Sequence, residues 1–533
     1  MSDNAIPGAR AIVATLVDAG VETCFMNPGT SELPFVHALG DFPQMTGVLA
    51  LAEGVATGAA DGYARISGRP AVALLHMGSG LGNGLANLHN ARRAHTPLLC
   101  IVGSHATRHM AHDTPLQSDI EGAARTVSGW VRTATSAESV AADVLDALDA
   151  TRRRGGQVAT LIVLADVAWN PAAALPSSQH RPNHPEQVDP GVLDEAVTWL
   201  NAGEPTAILL GGRALSEAGI RAADRIGQAT GAQIFTENLP ARLERGAGVP
   251  FAQRLGYNPA YVEGQLAGTR RLILAGARPP VSFFAYPGEA SELTPPDCDI
   301  LDLAEPGQDI TTALGTIADE LAADRCPRLV SRADLPAREG TLNLPPRHGG
   351  LSLGSMAGAI AATLPENTIV AEETVSSTAH IDPAMATAAR HTLLTLTGGA
   401  LGQGLPLATG AALAAPDRPI LCLEADGSAL FTIQALWTQA RERLDVTTVI
   451  VNNASYEILR AELPRFGAER ATDVPARMLD LTGPALDFVS LSQGMGVPAR
   501  RVTSAEQLTA ALQDAYAVKG PHLIEAVVAR GTR

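Results

Sequence analysis

The chain has 533 residues, a mass of 55.2 kDa and a formal net charge of −16. Hydrophobic residues make up 46% of it and charged residues 18%, which allows sizeable cores and excludes a disordered tail. The acidic balance argues against nucleic acid and anionic membranes as partners, because both require clustered positive charge.

Two proline-rich stretches, at 169–191 and 332–350, divide the chain into three segments. Proline restricts itself and the preceding residue to extended backbone, so these stretches are predicted to be linkers. The predicted domains are 1–175, 188–335 and 350–533. At roughly 100–200 residues per domain, the chain length also predicts about three domains.

Each segment alternates short apolar runs with longer helical patterns. In chain order, the predicted strands lie at 21–26, 71–75, 98–102, 207–210, 272–275, 368–371, 419–423 and 446–451, and predicted helices at 11–17, 52–65 and 432–443. Short β-branched runs that alternate with helices favour parallel sheets covered on both faces. We therefore expect an α/β protein of three doubly wound parallel-sheet domains.

The cysteines indicate the cellular compartment. No two of them form a CxxC pair, and most lie in apolar runs: Cys24, Cys100, Cys298, Cys326 and Cys422. This pattern favours reduced thiols in the cytoplasm over a disulfide framework.

The first 20 residues lack the pattern of a signal peptide. The uncharged stretch 392–416 is rich in glycine, so we expect a buried strand, loop and helix rather than a membrane span.

Polar side chains follow two consecutive predicted strands of the third segment. Asp426 follows the strand at 419–423, and Asn453, 27 positions later, follows the strand at 446–451. The carboxyl ends of neighbouring parallel strands meet at one edge of a sheet. Carboxylate, amide and backbone carbonyl oxygens are the set that Mg²⁺ prefers, and Gly427 would let N–H groups approach a phosphate. Alternatively, Asp-Gly and Asn-Asn are common turn sequences.

The Asp-Gly-Ser sequence at 426–428, with Asn-Asn at 452–453, resembles the cofactor motif of thiamine-diphosphate enzymes. Other segments are similar to the benzoylformate decarboxylase and acetolactate synthase-like branch of that superfamily. These are 25–34, 51–65, 75–83, 398–402 and 434–438. The resemblance runs along the whole chain and implies the domain order pyrimidine-binding, central and diphosphate-binding.

The resemblance implies a site for thiamine diphosphate and Mg²⁺. Glu53 is expected to contact the N1′ atom of the cofactor and promote loss of its C2 proton, and the alternative is an acidic residue favoured by the helix dipole. The expected Mg²⁺ ligands are Asp426, Asn453 and the Ser455 carbonyl. The other implied cofactor-binding residues are Asn27, Pro28, Gly29, Val375, Ser376, Gly399, Leu401, Ala425, Gly427, Ser428 and Tyr456. Ala425 replaces a glycine of the family, which is tolerable if its φ is negative.

The resemblance also implies residues on the substrate side. His76 is expected to move protons to and from the substrate, since imidazole titrates near neutrality; the alternative is a hydrogen-bonded histidine at a strand end. Thr30 occupies the place of a serine that holds the substrate carboxylate. Glu457 replaces a glycine and would affect the preferred substrate charge if it faced inward. A polar cluster could line the pocket or form a solvated turn: His105, His109, His112 and Asp113.

Two features separate members of the superfamily. Acetohydroxyacid synthases typically bind FAD and use a lysine of the first domain, whereas the single lysine here is Lys519. Benzoylformate decarboxylase has a second active-site histidine where this chain has Phe283. We therefore expect a flavin-free decarboxylase or carboligase of 2-oxo acids with an aromatic-leaning pocket. The alternatives are an acetolactate synthase-like carboligase, an FAD-dependent oxidase and a non-catalytic relative.

The family places the cofactor between the first domain of one chain and the third domain of another. The resemblance therefore implies a homo-oligomer, either a dimer or a tetramer, rather than a functional monomer.

Overall fold

The computed structural model describes residues 6–172, 185–322, 350–466 and 473–529. These residues form three mostly parallel sheets flanked by helices, which confirms the predicted α/β class. We call residues 6–172 the first unit, 185–322 the central unit and 350–529 the third unit. Most of both predicted linkers, and Cys326, lie outside the described residues, so the domain limits stay a prediction.

The first unit carries a parallel sheet in the order β2-β1-β3-β4-β6-β5. Its strands are β1 Thr23–Asn27, β2 Thr46–Leu49, β3 Ala71–Leu75, β4 Leu98–Ser104, β5 Trp130–Ala134 and β6 Val158–Leu164. Its helices are α1 Gly8–Asp18, α2 Leu33–Leu39, α3 Glu53–Ser67, α4 Met77–Arg93, α5 Ile120–Arg125, α6 Val140–Arg152 and α7 Ala165–Trp169. The residues of β3, β4 and β6 are all buried, as expected for strands covered on both faces.

The central unit contains a parallel sheet in the order β10-β8-β7-β11-β12. Its strands are β7 Thr206–Leu210, β8 Gln233–Thr236, β9 Leu243–Arg245, β10 Gln253–Arg254, β11 Arg271–Ala275 and β12 Asp299–Ala304. Its helices are α8 Pro190–Asn201, α9 Glu217–Thr230, α10 Pro259–Gln265 and α11 Ile310–Ala322. Strand β9 leaves this sheet and joins that of the third unit.

The third unit has a sheet in the order β17-β18-β16-β15-β13-β14-β9, in which β9 is antiparallel to β14. Its own strands are β13 Thr368–Glu373, β14 His391–Thr395, β15 Ile420–Ala425, β16 Val446–Asn452, β17 Ala499–Val502 and β18 His522–Val527. Its helices are α12 Leu353–Thr363, α13 Thr378–Met385, α14 Gly404–Ala414, α15 Asp426–Thr432, α16 Ala435–Arg441, α17 Glu457–Glu462, α18 Asp473–Met478, α19 Phe488–Gly494 and α20 Ala505–Ala517. The uncharged stretch at 392–416 is a strand, loop and helix, as predicted.

Helices α3 and α14 join the first and third units through one hydrophobic core. Glycine allows their backbones to touch: a Cβ on Gly62 would overlap the Leu407 carbonyl, and a Cβ on Gly410 would overlap the Ala59 carbonyl. The amino end of α3 is therefore held in a fixed position relative to the third unit.

Two further findings bear on the sequence predictions. Among the described helices, none combines the length and the apolar character needed to cross a bilayer. Four cysteines lie in the described ranges, and all four are unpaired: Cys24, Cys100, Cys298 and Cys422.

Candidate active site

Glu53 is the first residue of α3 and is nearly buried, with 8% of its surface exposed. The Asn83 side-chain amide donates a hydrogen bond to its carboxylate at 3.2 Å. Gly80, on the first turn of α4, leaves room for this carboxyl group beside the start of the helix. The predicted catalytic carboxylate is thus held by its neighbours and is not a solvated helix-end charge.

His76 caps α4 directly after β3. Its Nδ1 atom lies 2.8 Å from Glu32 Oε2 and 3.1 Å from the Ser31 hydroxyl oxygen. A carboxylate can only accept from a ring N–H, so this pair fixes the proton of a neutral His76 on Nδ1 and leaves Nε2 available. The predicted proton carrier therefore has a set tautomer and orientation. The glycine-rich stretch after it is the start of helix α4.

Glu32 is the site residue that sequence reasoning missed. Its side chain is buried, and its carboxylate also accepts the Gly29 N–H at 2.9 Å and the Ser31 hydroxyl at 2.7 Å. A Cβ on Gly29 would collide with the His76 ring, so only glycine lets the imidazole pack there. The sequence signal was weak, because Glu32 precedes His76 by 44 positions.

Thr30 lies in the loop that follows β1. Asn27 is the last residue of β1, Pro28 follows it, and Thr30 begins a short helical turn. Its side chain is exposed, whereas the neighbouring Ser31 supplies the hydroxyl that contacts His76. The proposed contact of Thr30 with a substrate carboxylate stays a prediction.

The polar loop after β4 lies beside this cluster. The rings of His105, His109 and His112 form a tilted stack with centroid distances of 5.4 and 5.7 Å. Burial, and the nearby His109 and His76, lower the pKa of His105. Asp113 and the last two histidines of the stack are exposed, so His105 is the member that reaches toward His76.

A second cluster lies at the carboxyl edge of the third sheet, where β15 and β16 pair in parallel. The Asp426 carboxylate accepts the N–H groups of Gly427 at 2.7 Å and Ala454 at 2.6 Å. The Asn453 side-chain oxygen accepts the Ser455 N–H at 2.9 Å. The predicted Mg²⁺ ligands therefore lie side by side at two neighbouring strand ends, as their positions in the sequence suggested.

The residues around these two strand ends account for the local backbone conformation. Ala425 has a φ of −80°, so its methyl group is tolerated where the family has glycine. Gly427 packs against the Tyr456 ring, Ser428 is buried, and Glu457 is half-buried on the first turn of α17. The helix predicted at about 432–443 is α16, which is shorter, and a further helix, α15, begins at Asp426 itself.

The remaining predicted cofactor residues lie on two loops of the third unit. Gly399 has a φ of 74°, which favours glycine, and a Cβ there would lie 2.6 Å from the Phe283 ring of the central unit. Leu401, two residues further, is half-buried. Val375 and Ser376, both half-buried, follow β13.

Three non-glycine residues beside these loops have a positive φ, as do five others in the described ranges. Met77, Val375 and Ala454 have φ values of 51°, 51° and 52°, in the left-handed region that side chains with a Cβ rarely adopt. Met77 adjoins His76, Val375 adjoins Ser376, and Ala454 donates its N–H to Asp426. Strain of this kind clusters at ligand sites, where the surroundings hold the backbone in a binding geometry.

The oxygen donors fit a hard cation and a bound diphosphate. Burial raises the pKa of Asp426, and no arginine, lysine or histidine pairs with it in the described ranges. Its oxygens accept backbone N–H groups, and their remaining lone pairs suit a cation. Within those ranges, no cluster of three or more His, Cys, Asp or Glu side chains could hold a metal, so any ion here would also use amide, carbonyl and ligand oxygens.

Comparisons with known proteins identify the family. Residues 6–123 match the thiamine pyrophosphate enzyme N-terminal TPP binding domain, and residues 374–526 match the C-terminal TPP binding domain. The chain is 52% identical over 524 residues to the "Putative acetolactate synthase large subunit IlvX" of Mycobacterium tuberculosis, covering 98% of this chain and 99% of that protein. It is 28% identical to benzoylformate decarboxylase of Pseudomonas aeruginosa, covering 95% and 96%.

Solved structures agree on the fold. The thiamine diphosphate-dependent 4-hydroxybenzoylformate decarboxylase of Rhodococcus jostii RHA1 superposes with a TM-score of 0.86 at 24% identity, covering 99% of this chain and all of that one. The two matched domain models contain the two site clusters, Glu53 and His76 in the first and Asp426 and Asn453 in the second. The chain therefore belongs to the thiamine pyrophosphate enzyme family, in the branch of benzoylformate decarboxylase and acetolactate synthase.

Proposed function

We propose that this protein is a Mg²⁺-dependent thiamine diphosphate enzyme that decarboxylates a 2-oxo acid, transfers the resulting acyl unit to an aldehyde, or does both. The observation that carries the proposal is the pairing of two preformed groups in the first unit: the nearly buried Glu53 carboxylate, and His76 with its Nδ1 fixed by Glu32. An acid and a base held by neighbouring side chains are typical of proton-transfer sites.

Each cluster has a task in this proposal. Thiamine diphosphate, when bound, supplies the carbon nucleophile and the electron sink for loss of CO₂. Glu53 would hold the aminopyrimidine N1′ atom through its carboxyl group. Asp426, Asn453 and the Ser455 carbonyl would bind Mg²⁺, with Gly427 and Ser428 beside the diphosphate. His76 Nε2 would exchange protons with the substrate, while the Glu32 carboxylate holds the ring through Nδ1.

Aromatic side chains of the central unit support a pocket for an aryl 2-oxo acid. Phe283 packs against Gly399 of the predicted cofactor loop, yet 42% of its surface is exposed. Tyr257 and Phe284 flank it at ring-centroid distances of 5.3 and 5.0 Å. An exposed aromatic cluster next to the predicted cofactor position favours flat apolar substrates. Phe283 cannot carry a proton, so His76 would act without a second histidine at this place.

Acetolactate-type carboligation is the second candidate, and the 52% identity to the M. tuberculosis relative favours it. Lys519 counts against it, because acetohydroxyacid synthases use a lysine of the first domain. The single lysine of this chain lies in the third unit, where it is exposed and bound to Asp445 at the amino end of β16.

We propose that the central unit takes no flavin. Its sheet order changes direction between β7 and β11, where α/β sheets bind ligands. Gly211 and Gly276 pack backbone to backbone at that point, and the Glu237 carboxylate accepts the Gly212 N–H at 3.3 Å.

We further propose that the active form is a dimer or a tetramer and that it works in the cytoplasm. The free thiols of Cys24, Cys100 and Cys422, all buried, fit a reducing compartment. The two clusters lie on different units, which fits a site completed by a second copy of the chain.

The proposal is tested by CO₂ release from a panel of aryl and alkyl 2-oxo acids. We expect release from at least one aryl member with thiamine diphosphate and Mg²⁺ present, and loss of release when either is omitted after dialysis against chelator. Product analysis with added aldehydes separates decarboxylation from carboligation. No cofactor-dependent turnover or carboligation with any member of the panel would contradict the proposal.

Glu32→Gln should lower kcat by about 10²-fold, within the range that positioned acid–base groups contribute. The variant keeps the size of the side chain and one acceptor but removes the negative charge beside His76 Nδ1. The dissociation constant of thiamine diphosphate should stay within twofold of the parent value, because Gly29 is the one predicted cofactor residue that Glu32 contacts, and the glutamine oxygen can still accept its N–H. Steady-state kinetics and a cofactor titration check both values.

Glu22→Gln is the matched control, since Glu22 precedes β1 at the opposite end of the strand and pairs with the exposed Arg69. Unchanged kcat in Glu32→Gln would remove the assigned role of the Glu32–His76 pair.

A further inference from the structure

The loop at 396–403 connects β14 to α14 and carries Gly399 and Leu401; we call it the cofactor loop. Its backbone is held by a side chain of the first unit. Asn90, on α4, is fully buried, and its side-chain oxygen accepts the Ala400 N–H at 3.1 Å while its amide nitrogen donates to the Ala400 carbonyl at 2.8 Å. One side chain thus bonds both polar groups of the residue that lies between Gly399 and Leu401.

Neighbouring side chains extend this contact. Asn87, one turn earlier on α4, is also buried and donates to the Gly402 carbonyl at 3.1 Å and to the Gly54 carbonyl at 2.8 Å. Its side-chain oxygen accepts the second N–H of Asn90 at 3.1 Å. Because Gly54 follows Glu53, the two asparagines connect the cofactor loop directly to the start of α3.

The opposite side of the cofactor loop is held by a carboxylate. Glu373 accepts the N–H groups of Gly402, Gln403 and Gly404 at 2.7, 2.7 and 2.6 Å. Burial raises the pKa of Glu373 to about 7, although the three N–H donors act to lower it. The Thr397 hydroxyl adds a bond to the Asn90 carbonyl at 2.8 Å. The backbone of the cofactor loop is therefore fixed from both units.

We propose that Asn87 and Asn90 are positioning residues that set the backbone of the cofactor loop, and with it Gly399 and Leu401, in the third unit of the same chain. The inference rests on the proposed function, because it assigns the loop to thiamine diphosphate. Neither asparagine needs to touch the cofactor. A buried carbonyl that loses its donor keeps an unmet hydrogen bond, so the loop would move to find another partner.

The test measures cofactor binding and protein stability separately. Apoprotein of Asn90→Ala is titrated with thiamine diphosphate at saturating Mg²⁺, followed by tryptophan fluorescence, and its melting temperature is recorded without cofactor. We expect the dissociation constant to rise about tenfold or more, the size of effect that loss of one or two net hydrogen bonds gives. Thr397→Val removes the bond to the Asn90 carbonyl and the bond accepted from Arg65 but keeps both bonds between Asn90 and Ala400. It should raise the constant less, which keeps a readout if Asn90→Ala does not fold.

Gln265 offers a matched control in the central unit. Its side chain also bonds both a backbone N–H, that of Gly256 at 2.9 Å, and a backbone carbonyl, that of Arg254 at 3.0 Å. Gln265→Ala should lower the melting temperature and leave the cofactor dissociation constant within twofold of the parent value. A purely structural role of Asn90 would give the same pattern in Asn90→Ala.

The measured dissociation constants separate failure of the positioning role from failure of the proposed function. Dissociation constants within twofold of the parent in both Asn90→Ala and Thr397→Val would overturn the positioning role and leave the proposed function intact. A parent protein that binds no thiamine diphosphate would overturn both.

Discussion

Glu53→Gln is expected to lower kcat by about 10²-fold or more while the protein still folds and binds thiamine diphosphate. The substitution preserves size and can keep the Asn83 contact at the start of α3, but it removes the carboxyl group that would exchange a proton with the aminopyrimidine. Steady-state assays at saturating cofactor measure the effect. Circular dichroism and the melting temperature check the fold.

The control for Glu53 is Glu244→Gln. Glu244 is a half-buried carboxylate on β9, which accepts a hydrogen bond from Thr392 far from the predicted cofactor loop. We expect near-parental kcat for this variant. If Glu53→Gln were as active as Glu244→Gln, the catalytic role of Glu53 would be wrong.

Asp426→Asn should weaken the binding of Mg²⁺ and thiamine diphosphate by about 10²-fold. The reason is that interactions with a charged group are stronger than the same interactions with a neutral one. Asp426 is the only carboxylate among the proposed ligands. Burial raises its pKa, so the charged form is not favoured by the fold without a cation. Asparagine keeps one oxygen acceptor and loses the other, so either Gly427 or Ala454 loses the acceptor of its N–H, and the melting temperature of the apoprotein should also fall. Calorimetric titration and thermal unfolding without cofactor measure the two quantities.

Asp445→Asn is the control for this variant. Asp445 lies at the amino end of β16 and binds Lys519, whereas Asp426 lies at the carboxyl edge of the same sheet. We expect unchanged cofactor affinity in Asp445→Asn. Equal affinities in the two variants would show that Asp426 is not a ligand.

The sequence was most informative where a local pattern decides the structure. The run at 71–75 became β3 without a shift, because five consecutive apolar residues between polar flanks fit a strand buried on both faces. Asp426 and Asn453 lie close together because parallel pairing of β15 and β16 aligns the two strand ends. Both features depend on the order of residues along the chain and on general rules for parallel sheets.

Contacts between distant segments could not be predicted in this way. Glu32 reaches His76 only because the loop after β1 and the end of β3 lie side by side in the sheet. Asn90 reaches Ala400 across 310 positions. Strand β9 pairs with β14 of another unit, and no short pattern at 243–245 indicates such a partner. These interactions are decided by packing between units, on which the local sequence carries little information.

The central claim is that Glu53 and the third-unit cluster together activate bound thiamine diphosphate, and it can be tested without knowing the substrate. The measurement is the exchange rate of the cofactor C2 proton for deuterium on the holoprotein, quenched in acid and read by proton NMR. We predict exchange much faster than that of free cofactor in the parent protein, and a fall of about 10²-fold in Glu53→Gln. Exchange no faster than in solution, in a parent protein saturated with thiamine diphosphate and Mg²⁺, would contradict the account.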